Sequence, residues 1–249
     1  MADNNDLAEN KGPEEIRVCK GIVKAVTDGN RLIVRGPMPA KGLPQERIVI
    51  ISGIRAPACG KESRSRLADS AQVTITEDQP GAFLAREFVR KMFIGKAVKF
   101  SINYAWENIP QVAGNVWLAD QTPGMDLGVM ELGLKAGWYT VSEQNKAPSA
   151  TLTDYQLNAQ NNDLGLNSEA GRLVRDLSWD TASIKESQQL VAKHRGKKLK
   201  GQVEFVLSGS TLKVYLAEFE HYSLVKNLDQ ERNFKFGQFS GFFSEFSLG

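Results

Sequence analysis

Metal-binding and disulfide-forming side chains are scarce in this sequence of 249 residues. It contains two cysteines, Cys19 and Cys59, and two histidines, His194 and His221. A tetrahedral zinc site needs about four such ligands close together, and a disulfide-rich scaffold needs several cysteine pairs. The sequence therefore argues against both classes of protein and is typical of an intracellular protein with reduced thiols.

Long apolar runs and a large excess of one charge are also absent. No stretch approaches the ~18 consecutive apolar residues of a membrane-spanning helix, and the polar N-terminus lacks the features of a secretory signal. Lys and Arg number 31 against 29 Asp and Glu, which leaves a formal net charge of +2. Because the charges balance, any surface that binds a polyanion must be local.

The order of hydrophobic patterns predicts an α+β protein that is mainly β. Strands are expected at 18–26, 32–34, 47–51, 98–102 and 116–118, with helices at 81–94 and 126–134 and a short extended piece at 138–141. In the first helix, Leu84, Phe88 and Met92 recur four residues apart and predict one buried stripe. The polar stretch 60–80 predicts a long loop. Three strands without intervening helices favour a five-stranded OB-fold barrel with two to three helices over a doubly wound sheet.

An internal repeat follows at an offset of 180 residues. The segment 21–34 recurs without a gap as 201–214, and six positions are identical in the two copies: Gly21, Val23, Val26, Gly29, Leu32 and Val34. These positions would place a strand, a tight turn and the next strand. The pattern predicts a duplicated module, of which the second copy is incomplete.

Four stretches of the first copy resemble the staphylococcal-nuclease-like domains of the Tudor staphylococcal nuclease family. They are 23–36 (VKAVTDGNRLIVRG), 45–57 (QERIVIISGIRAP), 79–98 (QPGAFLAREFVRKMFIGKAV) and 130–141 (MELGLKAGWYTV). The polar, non-periodic stretch 1–15 predicts a disordered lead-in. The resemblance implies a nuclease-like domain at 16–178, which a basic linker at 179–200 follows. Residues 201–249 would then be the partial second repeat, which ends in a Phe-rich tail.

The resemblance also implies a nuclease site, and most of its positions are substituted here. In active members, carboxylates hold calcium and a glutamate orients the attacking water. Asp28 matches the first acid of the family's Asp-Gly-Asp-Thr turn, but Asn30 replaces the second acid. In the Asp-Thr-Pro-Glu segment, Arg55 replaces the metal-binding aspartate and Ala58 replaces the glutamate.

Two transition-state arginines of the family align near Ile50 and Ala113. Because attack on a phosphodiester adds negative charge, hydrolysis needs the metal-binding carboxylates, the glutamate and the two arginines, most of which are substituted here. The resemblance therefore implies no catalytic residues and no cofactor. It implies an RNA-binding and scaffold module of the kind that serves RNA silencing complexes, RNA processing or decay, and gene regulation. The implied partners are RNA and silencing, transcription or RNA-processing proteins, and no contact with a membrane is implied. The implied location is the cytoplasm, with the nucleus as a second one.

Two alternatives remain open. One is a calcium-dependent endonuclease that hydrolyses phosphodiester bonds in RNA, with calcium as its cofactor. The other is a protein-interaction adaptor that makes no RNA contact. Whether the chain is part of a longer protein is also left open.

Two sets of basic residues could contact a phosphate backbone. The denser set lies in 193–200: Lys193, Arg195, Lys197, Lys198 and Lys200, without an acid among them. The second set is on the predicted helix and consists of Arg86, Arg90 and Lys91. Both sets fit non-specific phosphate contacts, and a solvated surface is the alternative interpretation of each.

Aromatic residues provide two further features. Tyr104 and Trp106 follow a predicted strand, where an OB-type barrel stacks bases, although packing on their own barrel explains them equally well. Six phenylalanines fall within the last 16 residues: Phe234, Phe236, Phe239, Phe242, Phe243 and Phe246. They would either cover the open edge of the second hairpin or form a low-complexity tail.

Overall fold

The structure is a computed structural model that describes residues 17–60, 62–67, 70–145, 148–175, 189, 192–194, 198–208, 211–216, 221–226 and 244–247. The predicted lead-in and most of the predicted linker lie outside these ranges. None of the described helices is long and apolar enough to cross a membrane.

The first module contains eleven strands and three α-helices among the described residues. In chain order they are β1 (Val18–Asp28), β2 (Arg31–Arg35), β3 (Glu46–Ile51), β4 (Ile54–Arg55), β5 (Glu62–Leu67), β6 (Ser70–Ile75), α1 (Ala82–Phe93), β7 (Ala97–Ser101), β8 (Tyr104–Ala105), β9 (Gln111–Gly114), β10 (Val116–Leu118), α2 (Val129–Lys135), β11 (Thr140–Val141) and α3 (Ala150–Asn161). Two short 3-10 turns, Gly165–Asn167 and Ala170–Arg172, follow α3.

Seven strands form one curled sheet in the order β10-β7-β1-β2-β3-β9-β8. Only a single residue, Asn115, separates β9 from β10, and this continuous segment pairs with β3 through β9 and with β7 through β10. The two ends of the sheet are thereby brought together, as in an OB barrel. At the bend, a Cβ on Gly114 would lie 2.0 Å from the Ser101 carbonyl oxygen, so glycine is required there. The predicted α+β OB-fold is confirmed.

The core lies inside the curled sheet, under α1. Leu32, Val49 and Val112 point inward from three neighbouring strands and are at most 1% exposed. Burial of such side chains stabilises the barrel by roughly 1.5–3 kcal/mol each. The hydroxyl of buried Tyr139 donates a hydrogen bond to the Gly29 carbonyl and connects the segment after α2 to the β1–β2 turn. Burial raises the pKa of Tyr139.

Two local predictions are wrong. The stretch 60–80 contains an antiparallel hairpin of β5 and β6 rather than only a loop; β6 ends in three β-branched residues, but its partner strand is polar, which hid the pairing. In α1, Leu84, Phe88 and Met92 are only partly buried, whereas Ala85 and Val89 are completely buried. The helix is covered on more than one side, because Tyr215 packs against its Phe83.

The second module, defined as strands β12 to β15, is a sheet in the order β14-β13-β12-β15. Its strands are β12 (Lys198–Ser208), β13 (Thr211–Leu216), β14 (His221–Lys226) and β15 (Ser244–Ser247). The first strand begins three residues before the predicted boundary of the repeat.

The pairing of β12 with β13 reproduces that of β1 with β2 at the 180-residue offset. Val203 pairs with Val214 as Val23 pairs with Val34, and both hairpins have register shifts at the same two places. The repeat seen in the sequence therefore corresponds to one backbone geometry that occurs twice.

The other two strands of the second module also have counterparts in the first. β14 pairs antiparallel with β13, as β3 does with β2, but the connection is shorter, so that Lys226 lies opposite Thr211 where Ile50 lies opposite Arg31. Leu199 pairs with Phe246 of β15, as Cys19 pairs with Phe100 of β7. The strand order β14-β13-β12-β15 is thus that of β3-β2-β1-β7. Of the six C-terminal phenylalanines, only Phe246 falls within the described residues.

Candidate nucleic-acid interface

Asp28 and Asn30 lie at the turn between β1 and β2. The Asp28 side chain is buried, and its Oδ1 accepts a hydrogen bond from the Cys59 amide at 2.9 Å. The Asn30 carbonyl accepts a hydrogen bond from the Ile51 amide at 2.9 Å. The acid kept from the family's set therefore binds the backbone of the segment 56–60.

Arg55 and Ala58 lie beside that turn, in β4 and in the segment that follows it. The Nη1 of Arg55 is 3.8 Å from Oε1 of Glu143, and both side chains are mostly exposed, so this ion pair is weak. The Ala58 amide donates to Gln79 Oε1 at 2.8 Å, and its carbonyl accepts from the Gln79 amide at 3.0 Å. Within the described ranges, no three His, Cys, Asp or Glu side chains come together in a way that could hold a metal ion.

One cross-strand row contains Ile50 and Ala113, the two positions that align with the family's arginines. Ile50 pairs with Arg31 on one side and with Ala113 on the other, and Ala113 pairs with Tyr104. Directly paired residues share a face of a sheet. Since the alternate residues of these strands are buried in the core, this row lies on the outer face of the barrel.

A second row runs beside the first on the same face. Ile33 pairs with Ile48, which pairs with Gln111, and the three side chains are half-buried. The Arg31 Nη2 donates to Gln111 Oε1 at 3.0 Å and connects the two rows. We call the side chains of the two rows the outer strip: Arg31, Ile33, Ile48, Ile50, Tyr104, Gln111 and Ala113. Arg31 and Gln111 could not be predicted as members of this surface, because their contact spans 80 residues.

The predicted base-stacking aromatics lie at one edge of the outer strip. Tyr104 is 58% exposed, and its ring packs edge-to-face against Trp106 with the ring centres 4.9 Å apart. Trp106 is half-buried. The pair therefore leaves one aromatic ring accessible and supports it with the second.

The three cations predicted on α1 have different environments. Arg86 is 7% exposed, and its Nη2 donates to Glu204 Oε1 at 2.7 Å and to Glu87 Oε1 at 3.1 Å. Burial disfavours the charge of Arg86, but Glu204 and Glu87 outweigh this and raise its pKa. Arg86 is therefore enclosed and paired within the chain, which argues against its predicted contact with RNA. Arg90 Nε donates to Glu87 Oε2 at 3.1 Å and stays partly accessible, and Lys91 is exposed.

The basic run before the second hairpin is described only in part. Lys193 is exposed, whereas Arg195 and Lys197 lie outside the described residues. Lys198 and Lys200 are in β12, where their backbones pair with Ser247 and Glu245 of β15. The phosphate-binding role of this run stays a prediction.

The comparisons with known proteins agree with the fold. No family model matches the chain. The Arabidopsis thaliana proteins Ribonuclease TUDOR 1 and Ribonuclease TUDOR 2 are 29% and 30% identical to it, in each case over 79% of this chain and 20% of the relative. Staphylococcal nuclease domain-containing protein 1 of Drosophila melanogaster is 27% identical over 86% of this chain and 22% of the relative.

The chain thus spans about a fifth of the length of the curated relatives it matches. The first module forms a closed barrel, as expected of a nuclease-like OB-fold. On both grounds the chain is similar to the proteins of the Tudor staphylococcal nuclease family, and the resemblance predicted from the sequence motifs is confirmed.

Proposed function

We propose that this chain is an RNA-binding and scaffold module that has lost nuclease chemistry. The proposal rests on what is found at two positions of the family's nuclease site, Arg55 and Asp28. A cation stands where the family has a metal-binding acid, and the remaining acid is hydrogen-bonded to the Cys59 amide. Hydrolysis of a phosphodiester by this family's route needs a metal ion and an oriented water, and these residues supply neither.

The outer strip supports RNA binding through bases. Its centre is apolar, and its edge holds the exposed ring of Tyr104. Stacking of a base on an aromatic side chain contributes about 1–3 kcal/mol and tolerates any base sequence. The strip would therefore take the unpaired bases of a single strand.

Cations on the same side of the barrel support contact with the phosphates. Arg31 belongs to the strip itself, and Arg35 is exposed at the end of β2. Lys24 is also nearby, but its Nζ is 2.7 Å from Oε1 of Glu46, which balances its charge. Arg90, Lys91 and the basic run at 193–200 would extend the charged path.

A salt titration of RNA affinity tests this proposal. Because phosphate contacts release counterions, log affinity for single-stranded RNA should fall with log salt, at a slope of about −0.7 for each contact. Replacing Lys197, Lys198 and Lys200 by Ala should make that slope about 2 units shallower and weaken binding alike for different RNA sequences. Lys41→Ala, at an exposed residue of the 36–44 segment, is the control and should leave the slope unchanged. A wild-type slope near zero would exclude binding through phosphates and favour the protein-interaction adaptor.

The resemblance to this family also suggests the cellular role. We propose that the chain contributes RNA contacts to assemblies for RNA silencing, processing or decay, together with silencing or transcription proteins. The corresponding location is the cytoplasm, with the nucleus as a second one. Recovery of RNA crosslinked to the chain in each compartment would test both points, and absence of crosslinked RNA from both would contradict them.

A further inference from the structure

The second module contacts the first at the start of α1. The ring of Phe83 packs edge-to-face against Tyr215 of β13, with ring centres 5.2 Å apart, and both residues are buried. On the same Phe83 ring lie two guanidinium groups, that of Arg175 at 4.3 Å and that of Arg86 at 5.1 Å from the ring centre. The contact therefore has an aromatic centre and two cations at its margin.

Glu204 of β12 approaches both cations. Its Oε1 accepts a hydrogen bond from Arg86 Nη2 at 2.7 Å and lies 3.9 Å from Arg175 Nη1. Gln202 Nε2 donates to the same oxygen at 3.3 Å. The side chain of Glu204 is only 5% exposed, so water contributes little to the solvation of its charge.

Arg175 connects this contact to the loop beside Asp28. Its Nε and Nη2 donate to the two carboxylate oxygens of Asp78 at 2.6 and 3.0 Å, and both side chains are buried. Asp78 Oδ1 also accepts the Gly60 amide at 2.7 Å. The neighbouring Cys59 amide is bonded to Asp28. A continuous series of contacts thus leads from the second module to Asp28, the acid that is kept from the family's nuclease site.

The charges of this cluster balance within the described residues. Three carboxylates meet three guanidinium groups: Asp78, Glu87 and Glu204 with Arg86, Arg90 and Arg175. Removing one partner of a buried pair leaves an uncompensated charge, whereas removing both partners is often close to neutral. Of these six groups, Glu204 is the one that the second module supplies.

We propose that this face of α1 is a docking surface for the second module, that Glu204 fixes the docked orientation, and that docking orders the segment 56–60 through Arg175 and Asp78. The surface fits a β-hairpin that presents one carboxylate and one aromatic ring. This inference does not depend on RNA binding.

Hydrogen exchange of the whole chain, recorded residue by residue, tests the inference. Glu204→Ala should speed exchange of the Cys59 and Gly60 amides by at least about tenfold, because the stranded Arg86 and Arg175 charges draw water into the junction. The double variant Arg86→Met with Glu204→Leu removes both partners and should bring these rates back towards the wild type. Lys24→Ala breaks the exposed ion pair with Glu46 and should leave them unchanged.

Two results would overturn the inference. The first is wild-type exchange at Cys59 and Gly60 in Glu204→Ala. The second is equally fast exchange in the single and double variants, which would mean that Glu204 stabilises β12 alone and not the junction. Exchange of the β1–β2 amides in the same samples shows whether the first barrel is still folded.

Discussion

Arg86 and Glu204 form a hydrogen-bonded ion pair of 2.7 Å across 118 residues of sequence, at a site where their side chains are 8% and 5% exposed. The pair changes how the basic residues of α1 are interpreted. A cation that the sequence offers to RNA instead binds a carboxylate of the same chain.

Removing one partner of this pair should lower the stability of the protein more than removing both partners. We expect Glu204→Ala to lower the free energy of unfolding by about 3–5 kcal/mol, because it leaves a buried guanidinium without its main partner. Replacing Arg86 by Met together with Glu204 by Leu should cost much less. Urea unfolding followed by tryptophan fluorescence measures both. A double variant as unstable as the single one would contradict this account of the pair.

The Cys59 thiol should be unreactive in the folded protein. Burial is the main cause that raises its pKa to about 12, although Arg86 and Arg175 act in the opposite direction. At pH 8 only about one thiol in ten thousand would be ionised, and the thiolate is the reactive form. In a Cys19→Ser variant, labelling by a thiol reagent at pH 8 should be slow until urea unfolds the chain. Labelling of the native variant as fast as that of a free thiol would contradict the buried environment.

The same shift predicts how stability depends on pH. The pKa of Cys59 is higher in the folded state than its ordinary value of 9.0, so the unfolded state loses this proton first. The contribution of the protonated Cys59 thiol to the free energy of unfolding is therefore complete below about pH 9 and is lost as the pH rises from 9 towards 12. The change in urea midpoint between pH 8 and pH 10.5, compared between wild type and Cys59→Ala, measures this contribution. An equal pH dependence in the two proteins would contradict it.

Gly114→Ala should open the barrel at its closing bend. A Cβ there would lie 2.0 Å from the Ser101 carbonyl oxygen, and both residues are held in paired strands, Ser101 opposite Val18 and Gly114 opposite Ile51. Overpacking of this kind costs about 1–3 kcal/mol or more. Gly36→Ala is the matched control, since its nearest atom would be 3.4 Å away. Thermal unfolding compares the two, and similar Tm values would argue against a closed barrel at this point.

Tyr104→Ala should weaken binding of single-stranded RNA by about fivefold to a hundredfold, which corresponds to the loss of one stacked base. The salt slope should stay the same, because no phosphate contact is removed. Met125→Ala is a control at an 86% exposed apolar residue and should have no effect. An unchanged affinity in Tyr104→Ala would remove the outer strip from the proposed interface while leaving the basic run to be tested.

The barrel could be predicted from the sequence because its signals are local. The turn at Asp28 and Gly29, the alternation in Val98–Ile102 and the helix before it each occupy fewer than about 15 residues, and their order restricts the topology. The β8–β9 hairpin was missed because its strands are short and its turn contains Asn108 at a positive φ of 63° without a glycine.

The environment of the candidate site could not be predicted in the same way. The role of Arg86 depends on Glu204, and the Asp78–Arg175 pair spans 97 residues. No periodicity marks such partners. The pairing of Ile50 with Ala113, and of Ala113 with Tyr104, likewise depends on strand order, which sequence patterns give only after the fold is known.

The central claim, RNA binding without cleavage, is tested most directly by incubating the purified chain with labelled single-stranded RNA in calcium and in chelator, and by measuring bound and cut RNA in the same samples. The account predicts that the RNA is bound and stays intact in both. Cleavage that requires calcium, is abolished by the chelator and persists through further purification would contradict it.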